Sequence, residues 1–426
     1  VRILVIGRGG REHAIIWALQ KSASVKEVYC APGNAGIGEI AECVNIDEFS
    51  FDELGEFAID HQIDLVVVGP EDPLFNGAVD YFEKIGVPAF GPRKNAAIIE
   101  GSKVFCKQLF KKYNIPTAAY ESFDNYEAAR AYLFNQQAPI VIKADGLAAG
   151  KGVTVAQTLE EADAALQDIM VNKVFGEAGS QVVIEEFLQG EEMSILAFVD
   201  GETVRPMMPA QDHKPIFDND LGPNTGGMGT YSPVPHIPQS VVDEAIETII
   251  KPTARAMVQE GRPFRGVLFA GLMISPDGTP KTIEFNCRFG DPETQVVLPR
   301  LKTDLLDIFV ASVNGRLNDL EINWSDESAV CVVLASGGYP GPYKKGLPIS
   351  GLDQVKQSMV FHAGTTTDED GVTVTNGGRL LGVTALGADI HEARAKAYAD
   401  IEHIQYEGRQ YRTDIAMKAL RAAANK

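Results

Sequence analysis

Basic residues are scarce in this 426-residue chain: 38 Lys and Arg stand against 58 Asp and Glu, a formal net charge of −20. A nucleic-acid or anionic-membrane binder carries a basic footprint, so neither is expected as a partner. Any anionic substrate must then be gripped by a local cluster of Lys and Arg. Long apolar runs are also missing. No stretch reaches the roughly 18 residues that a membrane-spanning helix needs. The first six residues are too short for the apolar core of a signal peptide and run straight into a glycine turn. The initiator Met is absent. Cysteine is limited to Cys30, Cys43, Cys106, Cys287 and Cys331, scattered and without a CxxC pair. That usage fits reduced thiols in a cytoplasmic protein and excludes a disulfide frame or a zinc site. There is no internal repeat and no low-complexity tract.

What is present is ordinary globular composition, with 45% hydrophobic and 23% charged residues over a length that suits about three domains. The first 100 residues alternate apolar strands (3–6, 65–68) with helical patterns (12–20, 77–84) and close at 87–91, the signature of a doubly wound parallel unit. A Lys-rich helix at 102–112 then leads into an α+β stretch. There, 140–144 reads as a strand, 159–170 as a helix, and 182–187 and 194–199 as neighbouring strands. Residues 211–235 form a long polar Gly/Pro-rich loop, a length that marks a functional segment. A helix over 240–259 precedes strands at 267–274 and 282–286. The last hundred residues alternate again: strands at 330–335, 360–363 and 380–385, a glycine turn at Gly377-Gly378, and a helix over 390–401.

Several segments carry chemistry. Gly7-Arg8-Gly9-Gly10-Arg11-Glu12-His13 follows a strand and opens a helix, a place where backbone N–H groups and the helix dipole receive an anion. Its spacing is not the G-x-G-x-x-G of a dinucleotide site. Pro32-Gly33-Asn34-Ala35-Gly36 and Gly69-Pro70-Glu71 share its strand-end character, and ligands of open α/β sheets sit at such ends. In 143–152, Lys143, Gly146, Gly150, Lys151 and Gly152 make a loop able to fold over phosphates, with Lys103 reaching from the earlier helix. Glu185, Leu188, Glu191 and Glu192 lie at a strand end. There, backbone groups near Glu185 and Leu188 can read a purine edge, and either Glu191 or Glu192 can hold a ribose. In 282–293, strand alternation puts Glu284, Asn286 and Arg288 on one face and Ile283, Phe285 and Cys287 on the other. Two oxygen ligands suit a Mg²⁺ that also bridges triphosphate oxygens, and the Arg can stabilise a transferring phosphoryl group. Asp212 is a candidate for binding an amine, and His213 serves equally well as a structural residue. In the last domain Lys344-Lys345 and Asn376-Gly377-Gly378-Arg379 are basic sites, each either a phosphate ligand or a solvated turn.

Together these strings resemble the glycinamide ribonucleotide synthetase family of ATP-grasp ligases. The matching segments are GRGGREHA at 7–14, APGNAG at 31–36, VGPEDPL at 68–74, EGSKVFCK at 100–107, IVIKADGLAAGKGV at 140–153, IEEFLQGEE at 184–192, QDHK at 211–214, GPNTGGMGTYSP at 222–233, EFNCRFGDPETQ at 284–295 and NGGR at 376–379.

The resemblance implies a Rossmann-like N-terminal domain (1–100), an ATP-grasp core (101–324, with a lid at about 118–188) and a small C-terminal α/β domain (325–426). It implies ATP as co-substrate, Mg²⁺ or Mn²⁺ at Glu284 and Asn286, and glycine and phosphoribosylamine as the other substrates. Arg288 and Asp212 are then catalytic. Lys103, Lys143, Gly146, Gly150, Lys151, Gly152, Glu185, Leu188, Glu191 and Glu192 hold the nucleotide. Gly9, Gly10, Asn34, Glu71, Asp212, Lys345 and Arg379 hold the other substrates. Arg8, where the family often has Asn or Ser, has no assigned role. Pro215 replaces a residue that is often Arg, so no basic ligand is assigned there. A monofunctional, monomeric, cytoplasmic enzyme is expected. The rival readings are another carboxylate–amine ligase of the superfamily and a non-catalytic nucleotide-binding protein.

Overall fold

A computed structural model describes residues 1–146 and 151–425. The N-terminal unit is a five-stranded parallel sheet, ordered Glu42–Cys43, Glu27–Pro32, Arg2–Gly7, Leu65–Val68, Ala89–Phe90. Its middle strands are continuous apolar runs because both faces are covered. The strand order reverses at Arg2–Gly7, so the loops after Gly7, Pro32 and Val68 open on one edge, where this sheet type holds ligands. The helix Gly10–Leu19 buries every residue except Trp17, and its apolar residues surround the axis because it is packed on all sides.

The central unit is an antiparallel sheet ordered Thr203–Pro206, Glu191–Asp200, Arg265–Ile274, Pro280–Asn286. A second sheet, ordered Tyr120–Phe123, Val182–Glu186, Ile140–Ala144, Val153–Ala156, packs the helices Tyr126–Leu133 and Leu159–Met170 around an apolar core of its own. The strands expected to be neighbours at 182–187 and 194–199 therefore belong to different sheets. Sequence proximity misled because the chain reverses at Gly190, whose φ of +144° ends one sheet before the next begins.

The polar stretch 211–235 is not a loop. Gln211–Asp212 and Gly229–Ser232 join Ser328–Ala335, Arg379–Gly387 and Met359–His362 in one antiparallel sheet. Pro215–Phe217 and Leu221–Asn224 form a small hairpin between them. The last sheet thus draws two strands from the middle of the chain.

The expected helix at 240–259 exists as Gln239–Ala245 and Lys251–Gln259 joined by a π-turn at Ile246–Ile250. Pro252 follows directly, and a proline lacks the N–H and crowds the preceding turn, which a wider turn relieves. In Pro280–Asn286 the pairing slips, with Gly271 opposite Glu284 but Leu272 opposite Thr282. Ile283 is the extra residue of this bulge. Thr282 takes the buried side that was expected for Ile283, while Phe285 and Cys287 are buried as expected.

Candidate functional site

Lys103 opens the helix Lys103–Lys112, capped by Ser102, whose Oγ accepts from the Phe105 N–H at 3.1 Å. Asp145 ties the following loop to this helix start, its Oδ1 accepting from Ser102 Oγ at 3.1 Å and the Val104 N–H at 3.0 Å. Lys103 Nζ donates to the Gly146 carbonyl at 3.4 Å. Burial lowers the pKa of Lys103, against the pull of Glu284 close by. Gly152 closes the hairpin by accepting from the Ala144 N–H at 2.8 Å, and Lys151 is exposed. Gly150 lies outside the described residues.

Lys143 projects from Ile140–Ala144 onto Glu185 of Val182–Glu186 and forms a buried ion pair with it. Glu185 also faces Lys107. Its side chain is therefore committed inside the protein, and only its backbone remains for a purine edge. Leu188 is half-buried beyond it. Glu191 is committed too, since its Oε1 accepts from Gln211 Nε2 at 2.9 Å and pairs with His236. Glu192 is exposed, with Lys214 Nζ 3.7 Å away.

Glu284, Asn286 and Arg288 share the open side of their strand, as alternation requires. An exposed carboxylate and a carboxamide two residues apart form an oxygen-only donor set, the kind a hard divalent cation takes when phosphate supplies its other ligands. Arg288 Nε lies 3.1 Å from Glu71 Oε2 and 3.5 Å from Glu100 Oε1, and Glu100 also accepts from the Cys287 N–H at 2.9 Å. Burial pushes the Glu71 carboxyl up, but Arg288 and Arg11 together hold it below the usual carboxylate range. Burial raises Glu100 despite Arg288.

Arg379 reaches across from the last sheet. Its Nη1 donates to the carbonyls of Gly226 at 3.1 Å and Asp291 at 3.1 Å, and lies 3.8 Å from Asp291 Oδ1. Asp291 Oδ2 in turn accepts from the Arg11 N–H at 3.4 Å, so Arg379 stands beside the start of Gly10–Leu19. That helix start is already capped, as Glu12 Oε1 accepts from the Gly9 N–H at 2.9 Å and the Arg8 N–H at 3.2 Å. An incoming anion competes with Glu12 for Gly9. A Cβ at Gly10 would meet Gln295 Nε2 at 2.6 Å, so a larger residue there would displace the Gln295 amide from Asp291.

Asn34 is fully engaged through its amide. Its Nδ2 donates to the carbonyls of Arg8 at 2.8 Å and His362 at 2.7 Å, pinning the first sheet's loop to the last sheet. Arg8 itself pairs with Glu48 at 2.9 Å. Lys345 is exposed and makes no hydrogen bond or ion pair among the described residues, while Lys344 pairs with Glu407 at 3.4 Å. The neighbouring Gly346 N–H donates to the Thr375 carbonyl at 2.7 Å, so Lys345 lies beside the turn that leads to Arg379.

Asp212 ends the strand Gln211–Asp212, and its Oδ1 accepts from the His213 N–H at 2.6 Å. Burial and the neighbouring charge of Glu293 push its pKa well up, against Lys214 and Arg379. Burial likewise raises the Glu293 carboxyl, so the negative form is disfavoured at both acids. Gly227, at φ +125°, passes over Asp212, where a Cβ would be 2.8 Å from Asp212 Oδ1 and 2.6 Å from Pro292 Cδ. His213 is structural. It is buried, with Nδ1 3.2 Å from the Gly229 carbonyl and Nε2 accepting from the Ala416 N–H at 3.3 Å. Burial, then Arg412, lowers its pKa to about 4.

Sequence reasoning missed Arg11, Glu12, Glu100, Lys107, Asp291 and Glu293 as members of this assembly. All six lie inside the quoted strings, yet only the fold shows that they face it. Tyr339 had no such signal. Its hydroxyl accepts from the Gly226 N–H at 3.3 Å, next to Arg379.

Residues 1–100 match the phosphoribosylglycinamide synthetase N domain, 101–294 its ATP-grasp (A) domain and 329–418 its C domain. A phosphoribosylamine–glycine ligase of Caldanaerobacter subterraneus subsp. tengcongensis is 52% identical over 416 residues, spanning 98% of this chain and 99% of that one. One from Vibrio parahaemolyticus is 50% identical over 424 residues, spanning 99% of each. The crystal structure of phosphoribosylamine–glycine ligase from Thermotoga maritima superposes with a TM-score of 0.86 at 36% identity, covering 98% of this chain and all of that one. The biotin carboxylase domain of a Hydrogenobacter thermophilus 2-oxoglutarate carboxylase, solved with MgADP, shares the fold alone, at a TM-score of 0.74 and 14% identity over 96% of this chain and 91% of that one. With three consecutive domain matches and half-identical relatives along its whole length, the chain belongs to the phosphoribosylglycinamide synthetase family of ATP-grasp enzymes.

Proposed function

We propose that the chain is an ATP-dependent carbon–nitrogen ligase that joins glycine to 5-phospho-β-D-ribosylamine. The products are glycinamide ribonucleotide, ADP and phosphate, a step of purine biosynthesis. The observation that carries this reading is the presence of two cationic sets, one near Glu284 and one at Asp291. Lys103 lies close to both Glu284 and Lys143. Arg379 and Arg11 meet at Asp291. An enzyme that must hold a triphosphate and a sugar phosphate apart needs two such grips.

In this reading Lys103 and Lys143 neutralise the ATP phosphates, Glu192 takes the ribose, and the backbone near Glu185 and Leu188 takes the purine. Glu284 and Asn286 hold Mg²⁺ or Mn²⁺, which would supply charge neutralisation between phosphate oxygens. A glycine carboxylate oxygen attacks the γ-phosphorus and the bond to the ADP oxygen breaks. Arg288 steadies the charge on the transferring group. The phosphoribosylamine nitrogen then attacks the acyl carbon and phosphate leaves with one former carboxylate oxygen. Asp212, with Glu293, holds one negative charge toward an amine. The same reading divides the chain into 1–100, 101–324 with a lid at about 118–188, and 325–426, acting as a cytoplasmic monomer. Its five free cysteines suit a reducing compartment.

Two outcomes test it. Arg379→Ala removes a charge-assisted contact of about 1.5–3 kcal/mol, so the KM for phosphoribosylamine rises roughly tenfold to a hundredfold while that for ATP stays level. A selective rise for ATP would place Arg379 against the wrong ligand. Glu284→Gln, at an exposed position that the fold does not need, raises the Mg²⁺ concentration required for half-maximal rate. An unchanged rate at limiting Mg²⁺ would remove Glu284 from the metal site.

A further inference from the structure

Three buried charges sit where the second sheet joins the central unit. Lys107, Lys143 and Glu185 have side chains only 4%, 8% and 6% exposed. Glu185 pairs with Lys143 through Oε1. Lys107 Nζ stands 2.6 Å from Oε2, a charge contact out of hydrogen-bond alignment. One carboxylate thus faces two ammonium groups. The arrangement follows from the fold: Val141 lies opposite Glu185 in the antiparallel pair, so Lys143, two residues on, is the diagonal neighbour on the same face. Lys107 arrives from the helix Lys103–Lys112 and also donates to Thr117 Oγ1 at 2.7 Å.

A simple structural pair needs one lysine. Breaking a buried pair is costly because it leaves an uncompensated charge. If Glu185 had Lys143 alone, Lys143 could not turn toward a phosphate without orphaning the carboxylate. With Lys107 in place, Glu185 stays compensated when Lys143 leaves. We propose that Lys107 is a positioning residue for the reaction: it holds Glu185 so that Lys143 is free to move onto the ATP phosphates. This rests on the reading of Lys143 as a phosphate ligand. Lys107 itself does not touch substrate. Burial lowers the pKa of Lys107 and Glu185 opposes that. Burial raises Glu185, and the two lysines together hold it below its usual range.

The test compares Michaelis constants for ATP, glycine and phosphoribosylamine across a set of variants. In Lys107→Met the KM for ATP rises roughly tenfold to a hundredfold, by the magnitude of a buried charge left unpaired, and the other two stay level. Lys107→Arg, which keeps the charge, stays near wild type. Lys107→Met combined with Glu185→Gln regains most of the ATP affinity, since no carboxylate remains to hold Lys143. The contacts of Lys107 to Thr117 and to the Tyr120 ring are lost in both the single and the double variant, so a role confined to those two contacts predicts no rescue. An unchanged ATP KM in Lys107→Met, or a double variant no better than the single one, overturns the proposal. Should Lys107→Met fail to fold, an ATP KM in Lys107→Arg as high as that of Lys143→Met overturns it instead. The Lys143→Met control separates the two ideas: if it leaves ATP KM and kcat unchanged, the phosphate reading of Lys143 has failed on its own.

Discussion

Arg288→Lys lowers kcat about a hundredfold to a thousandfold while the three Michaelis constants stay within about threefold, the pattern of a lost interaction made in the transition state. Arg288 Nε serves Glu71 and Glu100 at 3.1 and 3.5 Å, and Nη1 donates to the Phe289 carbonyl at 3.4 Å. Those contacts use Nε and Nη1, and Nη2 makes no hydrogen bond among the described residues, which leaves donors of a rigid fork for substrate. A lysine has a single ammonium on a flexible stem and cannot do both. It keeps the positive charge that Glu71 and Glu100 need, so the fold survives and the loss falls on turnover. Steady-state kinetics with each substrate varied in turn gives the answer. A loss under tenfold, or one confined to a KM, would make Arg288 a structural partner of the two acids.

The second large effect is on stability. Arg412 is 1% exposed, and it binds Asp414 bidentately at 2.8 Å through Nε and Nη2, with Asp220 at 3.0 Å and the Pro215 carbonyl at 3.2 Å. Asp218 accepts from the Thr413 N–H at 2.8 Å, and Asp414 from the Asn219 N–H at 2.9 Å. This cluster fastens the polar hairpin of residues 215–224 to the end of the chain. Arg412→Met strands these acids and costs about 3 kcal/mol, the low end for a broken buried pair because Asp220 is open to water. The pH dependence has a definite sign. Burial raises the Asp414 carboxyl, but Arg412 and the Asn219 N–H hold it well below its usual 3.8. Its contribution is present above that unfolded value and is lost as pH falls through the folded one. The gap between wild type and variant is therefore widest near neutrality and narrows below about pH 4. Chemical denaturation at several pH values reads it, and a gap that does not change with pH would contradict the assignment.

Much of the fold is legible in the sequence because apolar strands buried on both faces write themselves as unbroken runs, as at 65–68 and 330–335. Periodic helices such as Ile390–Ile401 are equally plain. The polar strands are not. Gln211–Asp212 and Leu221–Asn224 have no apolar alternation; the first is a strand because Gly229–Ser232 pairs with it, and the second because its hairpin with Pro215–Phe217 is pinned by Arg412. The bulge at Ile283 likewise depends on its neighbour strand. At the site, residue types and strings point to Lys103, Lys143, Glu284, Asn286, Arg288 and Arg379. Which side chains are already spent does not follow from them. Glu12 caps its own helix, Glu185 lies between two lysines, Asn34 bridges two sheets, and Glu191 turns to Gln211 and His236. These are tertiary facts. In the proposed function they favour Glu192 over Glu191 as the residue for the ribose.

The most direct test of the proposed chemistry follows an oxygen atom. Glycine carrying ¹⁸O in its carboxylate is turned over with ATP, Mg²⁺ and phosphoribosylamine, and the released phosphate is weighed. A glycyl phosphate intermediate breaks the acyl carbon–oxygen bond when the amine attacks, so one labelled oxygen appears in each phosphate, and sustained ADP release requires both glycine and phosphoribosylamine. Phosphate free of label, or ADP release indifferent to either substrate, would contradict the account.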